Sequence, residues 1–299
     1  MNARAQIRLL PDGRRLHLHD GPIDVILQAF GQLEEVEQAY RAAAHRFTSI
    51  LDELCSELTF LREPATPDSG SPRGPVARRM LDAVLPFCRE TFITPMAAVA
   101  GAVAEELLKE MTSAATLKKA YANDGGDIAL HLAPGEQFVI GMVEFPEKPS
   151  LLGTTTVHFN DPIRGIATSG LRGRSFSLGI ADSVTVLARH AAFADAAATL
   201  IANAVNLPGH PAIRRMPASD LAPESDLGTR LVTQSVGPLT ETEIDEALAS
   251  GIAAAESFQC QGLIQSAALT LQGAVRIAKP SPHMPLAHAS TLNRRHIHA

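Results

Sequence analysis

The chain has 299 residues, 45% of them hydrophobic and 19% charged, with a net charge of −6 and a mean hydropathy of +0.06. That length is enough to bury a full core, and the composition is that of a soluble globular protein. The negative balance argues against a nucleic-acid partner held by phosphate contacts, and the absence of Trp with only two Tyr leaves few stacking platforms for bases.

No run of about 18 apolar residues occurs without a charge or a helix breaker, so no membrane span is expected. The opening "MNARAQIRLLPDGRRLHLHD" lacks the unbroken apolar core of a signal peptide. Cys55, Cys88 and Cys260 are scattered, which gives neither a disulfide framework nor zinc spacing and fits a reducing, cytoplasmic setting.

In chain order, "IRLLPDGRRLHLHD" alternates apolar and polar residues about a Pro-Asp-Gly turn and predicts a β-hairpin. His17 and His19 share one face of its second strand, either as a metal-binding pair or, with no third ligand nearby in sequence, as an exposed strand face. From Gly31 to Leu61 apolar residues recur at three-and-four spacing, predicting a helix that ends before Pro64 in the loop "EPATPDSGSPRGP". "VARRMLDAVLPFC" predicts a second helix. "ITPMAAVAGAVAEELLKEM" predicts a third, with Thr94 as N-cap and Pro95 at its first position. The small residues from Ala97 to Ala102 permit close approach of another backbone or of a ligand.

Short strands with Gly-containing turns follow: "LKKAYAN", "IALHLA", "QFVIGMVEF", "TTTVHF", "GIATSG" and "SVTVLA" read as one continuing meander. "AAFADAAATLIANAV" is helical. After the Pro-rich stretch 208–223 comes another helix, "TETEIDEALASGIAAAESF", opened by a Thr240–Glu243 capping pattern, and then a hairpin about Gln272-Gly273. Residues 281–299 hold His without an apolar period and read as a flexible tail. Hairpins outnumber crossovers, so residues 1–280 are expected to form a single α+β domain with a mainly antiparallel sheet and packed helices. No internal repeat is visible in the sequence.

Three constellations carry candidate chemistry. In "ATSGLRGRSFSLG" the hydroxyls of Thr168 and Ser169, the glycines Gly170 and Gly173, and the guanidinium groups of Arg172 and Arg174 are what a phosphate-bearing ligand needs. They equally describe a tight turn with solvated arginines. In "NDGGD" the paired Gly125 and Gly126 either form a hairpin turn flanked by Asp124 and Asp127 or let a flat cofactor approach the backbone. In "RHAAFADAAATLI" Asp195 is either the N-cap of a helix starting at Ala196 or, if the helix is already running, a partner of Thr199 one turn on, suited to a hard cation such as Mg²⁺. His190 is the histidine nearest these groups. Zinc-protease, P-loop and dinucleotide-fold motifs are absent.

Taken together, "GGD", "IATSG", "SVTVLA" and "ADAAATLIANAV", in that order, resemble the ApbE-like superfamily, whose best-known members transfer FMN from FAD to a threonine of a partner protein using Mg²⁺. The form "ATSGLRGRSFSLGIADSVTV" is nearer to an uncharacterised branch of that superfamily than to the proven transferases. The resemblance implies Asp195 and Thr199 as metal ligands, Thr168, Ser169 and Gly170 as flavin contacts, and Gly125 and Gly126 as the turn before a strand. Met96 to Gly101 falls, loosely, where transferases lend a backbone carbonyl to the metal. Two departures stand out: Ala100 replaces a lysine, and the histidine-containing loop after the "TSG" strand is missing.

The implied function is a protein that binds a flavin such as FAD, or another phosphate-bearing small molecule, together with Mg²⁺. Arg172 and Arg174 would hold the phosphates, and any chemistry would be metal-assisted transfer. No catalytic residue follows from it. The alternative is a non-catalytic accessory protein that keeps the fold and binds a protein partner in redox or sulfur metabolism.

Overall fold

The computed structural model describes residues 4–89, 91–143 and 151–278. The first strands are β1 (Gln6–Leu9), β2 (Arg15–Asp20) and β3 (Ile23–Phe30). The hairpin of β1 and β2 follows the alternation in the sequence, whereas β3 extends the sheet immediately afterwards and had no counterpart in the sequence reading. Its alternation buries Ile23, Val25, Leu27 and Ala29 on one face.

Helix α1 (Leu33–Ser56) presents Ala39, Ala43, Phe47, Ile50 and Leu54 to the core at the expected spacing, and α2 (Leu58–Leu61) is a short turn beyond it. Helix α3 (Pro75–Val84) follows. The third predicted helix begins later than expected: Pro95–Ala98 forms a 3-10 turn and α4 spans Val99–Ala114. The expectation that Thr94 caps it is corrected, because the Thr94 hydroxyl donates to Asp226 instead.

Strands β4 (Lys119–Asp124) and β5 (Asp127–Leu132) form the next hairpin. The expectation of one continuing meander is corrected at β6 (Gln137–Val143) and β7 (Leu151–His158), which pair only with each other. Phe138, Ile140 and Val157 of that ribbon pack with Leu130, Leu132, Ile166 and Leu187, so it covers the outer face of the sheet. Strand β8 (Gly165–Ser169) then returns to pair with β5, and β9 (Ser183–Ala188) with β8.

The remaining elements are α5 (Ala191–Ala204), β10 (Ile213–Pro217), α6 (Ala218–Leu221), β11 (Leu231–Val236), α7 (Glu241–Cys260), β12 (Ser266–Leu271) and β13 (Ala274–Ala278). The Pro-rich stretch contains β10, which pairs with β11 in a small ribbon of its own. The capping box of α7 is present in both directions between Thr240 and Glu243. The proposed tail, 281–299, lies outside the described residues.

The main sheet runs β1-β2-β3-β4-β5-β8-β9-β12-β13, and every neighbouring pair is antiparallel. Helices α1, α4, α5 and α7 pack against one of its faces, over a single continuous apolar core running from Leu16 to Ala278. The architecture is therefore α+β in one domain. The order contains a repeat that no sequence pattern shows: β2-β3 and β4-β5 bracket α1 to α4, and β8-β9 and β12-β13 bracket α5 to α7. The two halves meet at β5 and β8 through only two register pairs, Ile128 with Ile166 and Ala129 with Gly165. Among the described residues no helix is long and apolar enough to cross a membrane.

Candidate functional site

The α5 segment is nearly all alanine on its inner face, and Ala191, Ala194, Ala197 and Ala198 are buried. Such small side chains let backbones come close. An added Cβ at Gly101 would run into the Ala191 carbonyl, so α4 and α5 touch backbone to backbone at their starts. The small residues opening α4 therefore pack on a helix.

This contact settles the place of Asp195. His190 is the N-cap of α5, with extended backbone, so Asp195 lies inside the running helix with Thr199 one turn further along. Its carboxylate Oδ2 accepts the Gly101 N–H at 3.1 Å. Desolvation pushes the Asp195 carboxyl well above its ordinary value, and the charges of Asp127 and Asp124 push it further. The N–H groups of Gly101 and Ala100 offset this only in part.

Asp124 and Asp127 come from the β4–β5 turn. Alternation along β4 puts Asp124 on the same inward face as Ala120 and Ala122, and it is buried. Burial raises its carboxyl to about 7, against hydrogen bonding from the Asp24 N–H and the charge of Arg174. Asp127 is likewise raised to about 7, by desolvation first and by the Asp124 charge, while the Thr168 N–H donating to its Oδ1 at 3.1 Å lowers it. Neither acid was expected to matter beyond turn formation. The sign was in the strand register, which sets acids at positions where the neighbouring residues on that face are alanines.

The other expected residues divide into three groups. Ser169, at the end of β8, accepts a hydrogen bond from the Thr199 hydroxyl at 3.4 Å, so those two hydroxyls converge one helical turn beyond Asp195. Gly125 and Gly126 have φ of +64° and +116°, and the Asn123 side chain accepts the Gly126 N–H at 2.8 Å. The Arg174 guanidinium lies directly on Gly125, where a Cβ would exclude it, and reaches within 3.9 Å of Asp124. Nothing approaches the Gly126 Cβ position within 4 Å.

Thr168, Arg172 and Gly170 stand apart from that convergence. The Thr168 side chain points to the opposite face of the sheet, where its hydroxyl is 2.9 Å from that of Thr185, and only its N–H serves the acids. Arg172 is engaged with Asp182 at 2.9 Å, and Gly170 packs against the Asp182 and Ser183 backbone. His190 sits at the other end of the contact, with Nδ1 3.8 Å from Glu105. On the neighbouring strands β2 and β3, Asp24 stands 3.0 Å from His17 Nε2 and 3.4 Å from His19 Nδ1, so the two histidines share a carboxylate.

The side chains at Asp195 and one helical turn beyond it offer oxygens: its carboxylate, and the paired hydroxyls of Thr199 and Ser169. Hard cations such as Mg²⁺ take oxygen ligands and keep several waters or phosphate oxygens. Among the described residues no three His, Cys, Asp or Glu side chains have the spacing of a metal cage. The set thus fits a cation held by few protein groups, and the desolvated, mutually repelling acids supply the reason to hold one.

A duplicated antiparallel α+β protein with buried acids and a pair of hydroxyls near the seam of its halves is the class that fold and site define. The profile of the family described as AbpE bacteria matches residues 7–277, and the chain belongs to that family. It is 40% identical over 121 residues to the UPF0280 protein of Methanocaldococcus jannaschii, covering 38% of this chain and 45% of that one. It is 31% identical over 182 residues to the UPF0280 protein of Methanopyrus kandleri, covering 60% and 69%. The chain thus spans less than half the length of the first of these relatives. Among solved structures it is similar to flavin transferase ApbE from Vibrio cholerae, at 12% identity and a TM-score of 0.40, covering 93% of this chain and 98% of that one. A mutant form of the same enzyme gives a TM-score of 0.47.

Proposed function

We propose that the chain binds a flavin, or another phosphate-bearing ligand, in the crevice between α5, the end of β8 and the β4–β5 turn, together with Mg²⁺. Asp195 and Thr199 would hold the cation, with the Ser169 hydroxyl beside them. The observation that carries this reading is the Asp195 carboxylate, desolvated, repelled by two neighbouring acids and answered by no cationic side chain among the described residues. A bound Mg²⁺ would neutralise that charge and offer positive charge to phosphate oxygens.

This chain's own residues divide the remaining work. Arg174 is exposed and placed to meet a phosphate: among the described residues its ion pair is the loose 3.9 Å approach to Asp124. Gly126 leaves open space for a ligand's approach along the turn. Arg172, expected beside Arg174, is spent on Asp182 and closes the 171–182 loop with the Leu171 N–H donating to the Ala181 carbonyl. That closed loop brings no histidine to the crevice, which favours binding over FMN transfer. An accessory role with a protein partner is the reading in which transfer is absent altogether.

Because three acids surround the site, a phosphate ligand meets repulsion unless a cation intervenes. Titrating FAD into the protein with Mg²⁺ and with EDTA tests this. Tight binding only with Mg²⁺, abolished by Asp195→Ala, is the expected result; Mg²⁺-independent binding, or none, overturns it. Release of AMP in the presence of candidate acceptor proteins would separate a transferase from a binder.

A further inference from the structure

A second cleft, of about 540 Å³, opens where α3, α4 and the start of α5 diverge above β5. Its volume is within the range of small-molecule sites. The walls carry four cationic side chains, Arg79, Lys109, Arg164 and Arg189, against two carboxylates, Asp82 and Glu105, in a chain whose overall charge is −6. The floor is apolar: Leu108, Ala129, Leu130 and Phe193.

The acids do not cancel the cations evenly. Glu105 is fully engaged, with Arg79 Nε at 3.0 Å, the Ala192 N–H at 3.3 Å and His190 at 3.8 Å. The helix end is thereby capped, so an incoming anion meets side-chain charge and not the α5 amides. The side chains of Lys109 and Arg189 are exposed and make no ion pair or hydrogen bond among the described residues. Arg164 is half-buried and spends its guanidinium on three carbonyls, those of Asp161 at 2.8 Å, Ile163 at 2.6 Å and Phe159 at 2.6 Å. Those bonds fix the plane of its fork while leaving the charge without a salt bridge among the described residues. Asp161, whose charge favours the Arg164 cation, accepts the His158 N–H at 2.8 Å.

Three cationic heads with one free carboxylate between them call for more than a single negative charge, and the apolar floor calls for a body as well as a head. We infer that this cleft is a binding site for a small organic phosphate, with Arg164, Arg189 and Lys109 on the phosphate and Leu108, Leu130 and Phe193 under its apolar part. It is separate from the Asp195 crevice and independent of the function proposed there, since no metal is required.

Phenyl phosphate titrated in EDTA, followed by calorimetry, tests this assignment. One-to-one binding is expected, stronger than for inorganic phosphate, with affinity falling about tenfold in Arg189→Ala and further in the Arg189→Ala/Lys109→Ala pair. Asp195→Asn leaves it unchanged, which distinguishes this cleft from the crevice. Both basic residues are exposed and unpaired, so the unchanged thermal midpoint of the variants serves as the folding control. Absence of binding, equal affinity for inorganic phosphate, or binding that survives loss of both cations overturns the proposal.

Discussion

Two groups of acids are packed beside α4, and the protein treats them in opposite ways. Glu106, 2% exposed, is met by Arg46 at 2.8 Å and Arg79 at 3.1 Å, and Arg46 is shared with Glu53 at 2.7 Å. Burial alone would raise the Glu106 carboxyl, but the hydrogen bonds from the two arginines outweigh it and hold it below its ordinary value. Around Asp195 the desolvation is similar in kind, yet the neighbours are two more acids and two backbone N–H groups. One group is balanced internally and behaves as structure. The other is left unbalanced, which a fold tolerates where something from outside completes it.

The largest test of this contrast is Glu106→Ala, which leaves two partly buried arginines facing each other. It is expected to cost about 2–4 kcal/mol in a denaturant melt, because both arginines lose their most buried partner although Arg46 keeps Glu53 and Arg79 keeps Glu105. Next, Gly101→Ala pushes a methyl into the Ala191 carbonyl and separates α4 from α5. A loss of about 1–3 kcal/mol, with weakened Mg²⁺-dependent binding, is expected from the same melt and an FAD titration.

A smaller effect, of opposite sign, is expected for Asp195→Asn without metal. Removing a repelled charge raises the thermal midpoint, on the order of 2 °C, while the further rise on adding Mg²⁺ disappears. A lower midpoint would show that this acid is balanced after all.

The pH dependence separates the two groups without cation present. Glu106, held low, contributes stability that is complete above its unfolded value near 4.5 and is lost as pH falls through its folded value. Asp124, raised from 3.8 to about 7, works the other way: the folded state keeps a proton that the unfolded chain has released. Stability therefore declines as pH climbs from about 4 to about 7, and Asp124→Asn should flatten that decline in melts across the range. The smallest change is expected for Arg172→Ala, whose partner Asp182 lies in a half-exposed pair; a shift within about 0.5 kcal/mol, with FAD binding intact, agrees with its place outside the crevice.

Local patterns carried much of the fold. The α7 capping box, the alternation of β4 and β5, and the turn at Gln272-Gly273 are each written in neighbouring residues, and each is present. What pattern could not carry was long-range. That β6 and β7 leave the main sheet, and that β5 pairs with β8, depends on which faces are covered. The repeat of the two halves is topological and leaves no trace in residue identity.

The site divides in the same manner. Asp195 and Thr199 share a helix face by spacing alone once the helix start is known, and His190 as N-cap supplies it. The acids facing them, Asp124 and Asp127, sit about 70 residues earlier, and only tertiary packing brings their charges to bear. Thr168 and Ser169 read as a matched pair of hydroxyls, but strand alternation sends one to each side of the sheet.

The junction of β5 with β8 has a consequence for how the crevice comes into being. The first half brings the acids of the β4–β5 turn, and the second brings Ser169, Asp195 and Thr199, so neither half owns a site. With only two register pairs in the strand junction, the alignment of these groups also leans on the α4–α5 contact at Gly101. A ligand gripping both sides would act as a rivet across that junction. Its binding would be felt as tighter coupling between the two halves that share this core, and not as a change confined to one loop.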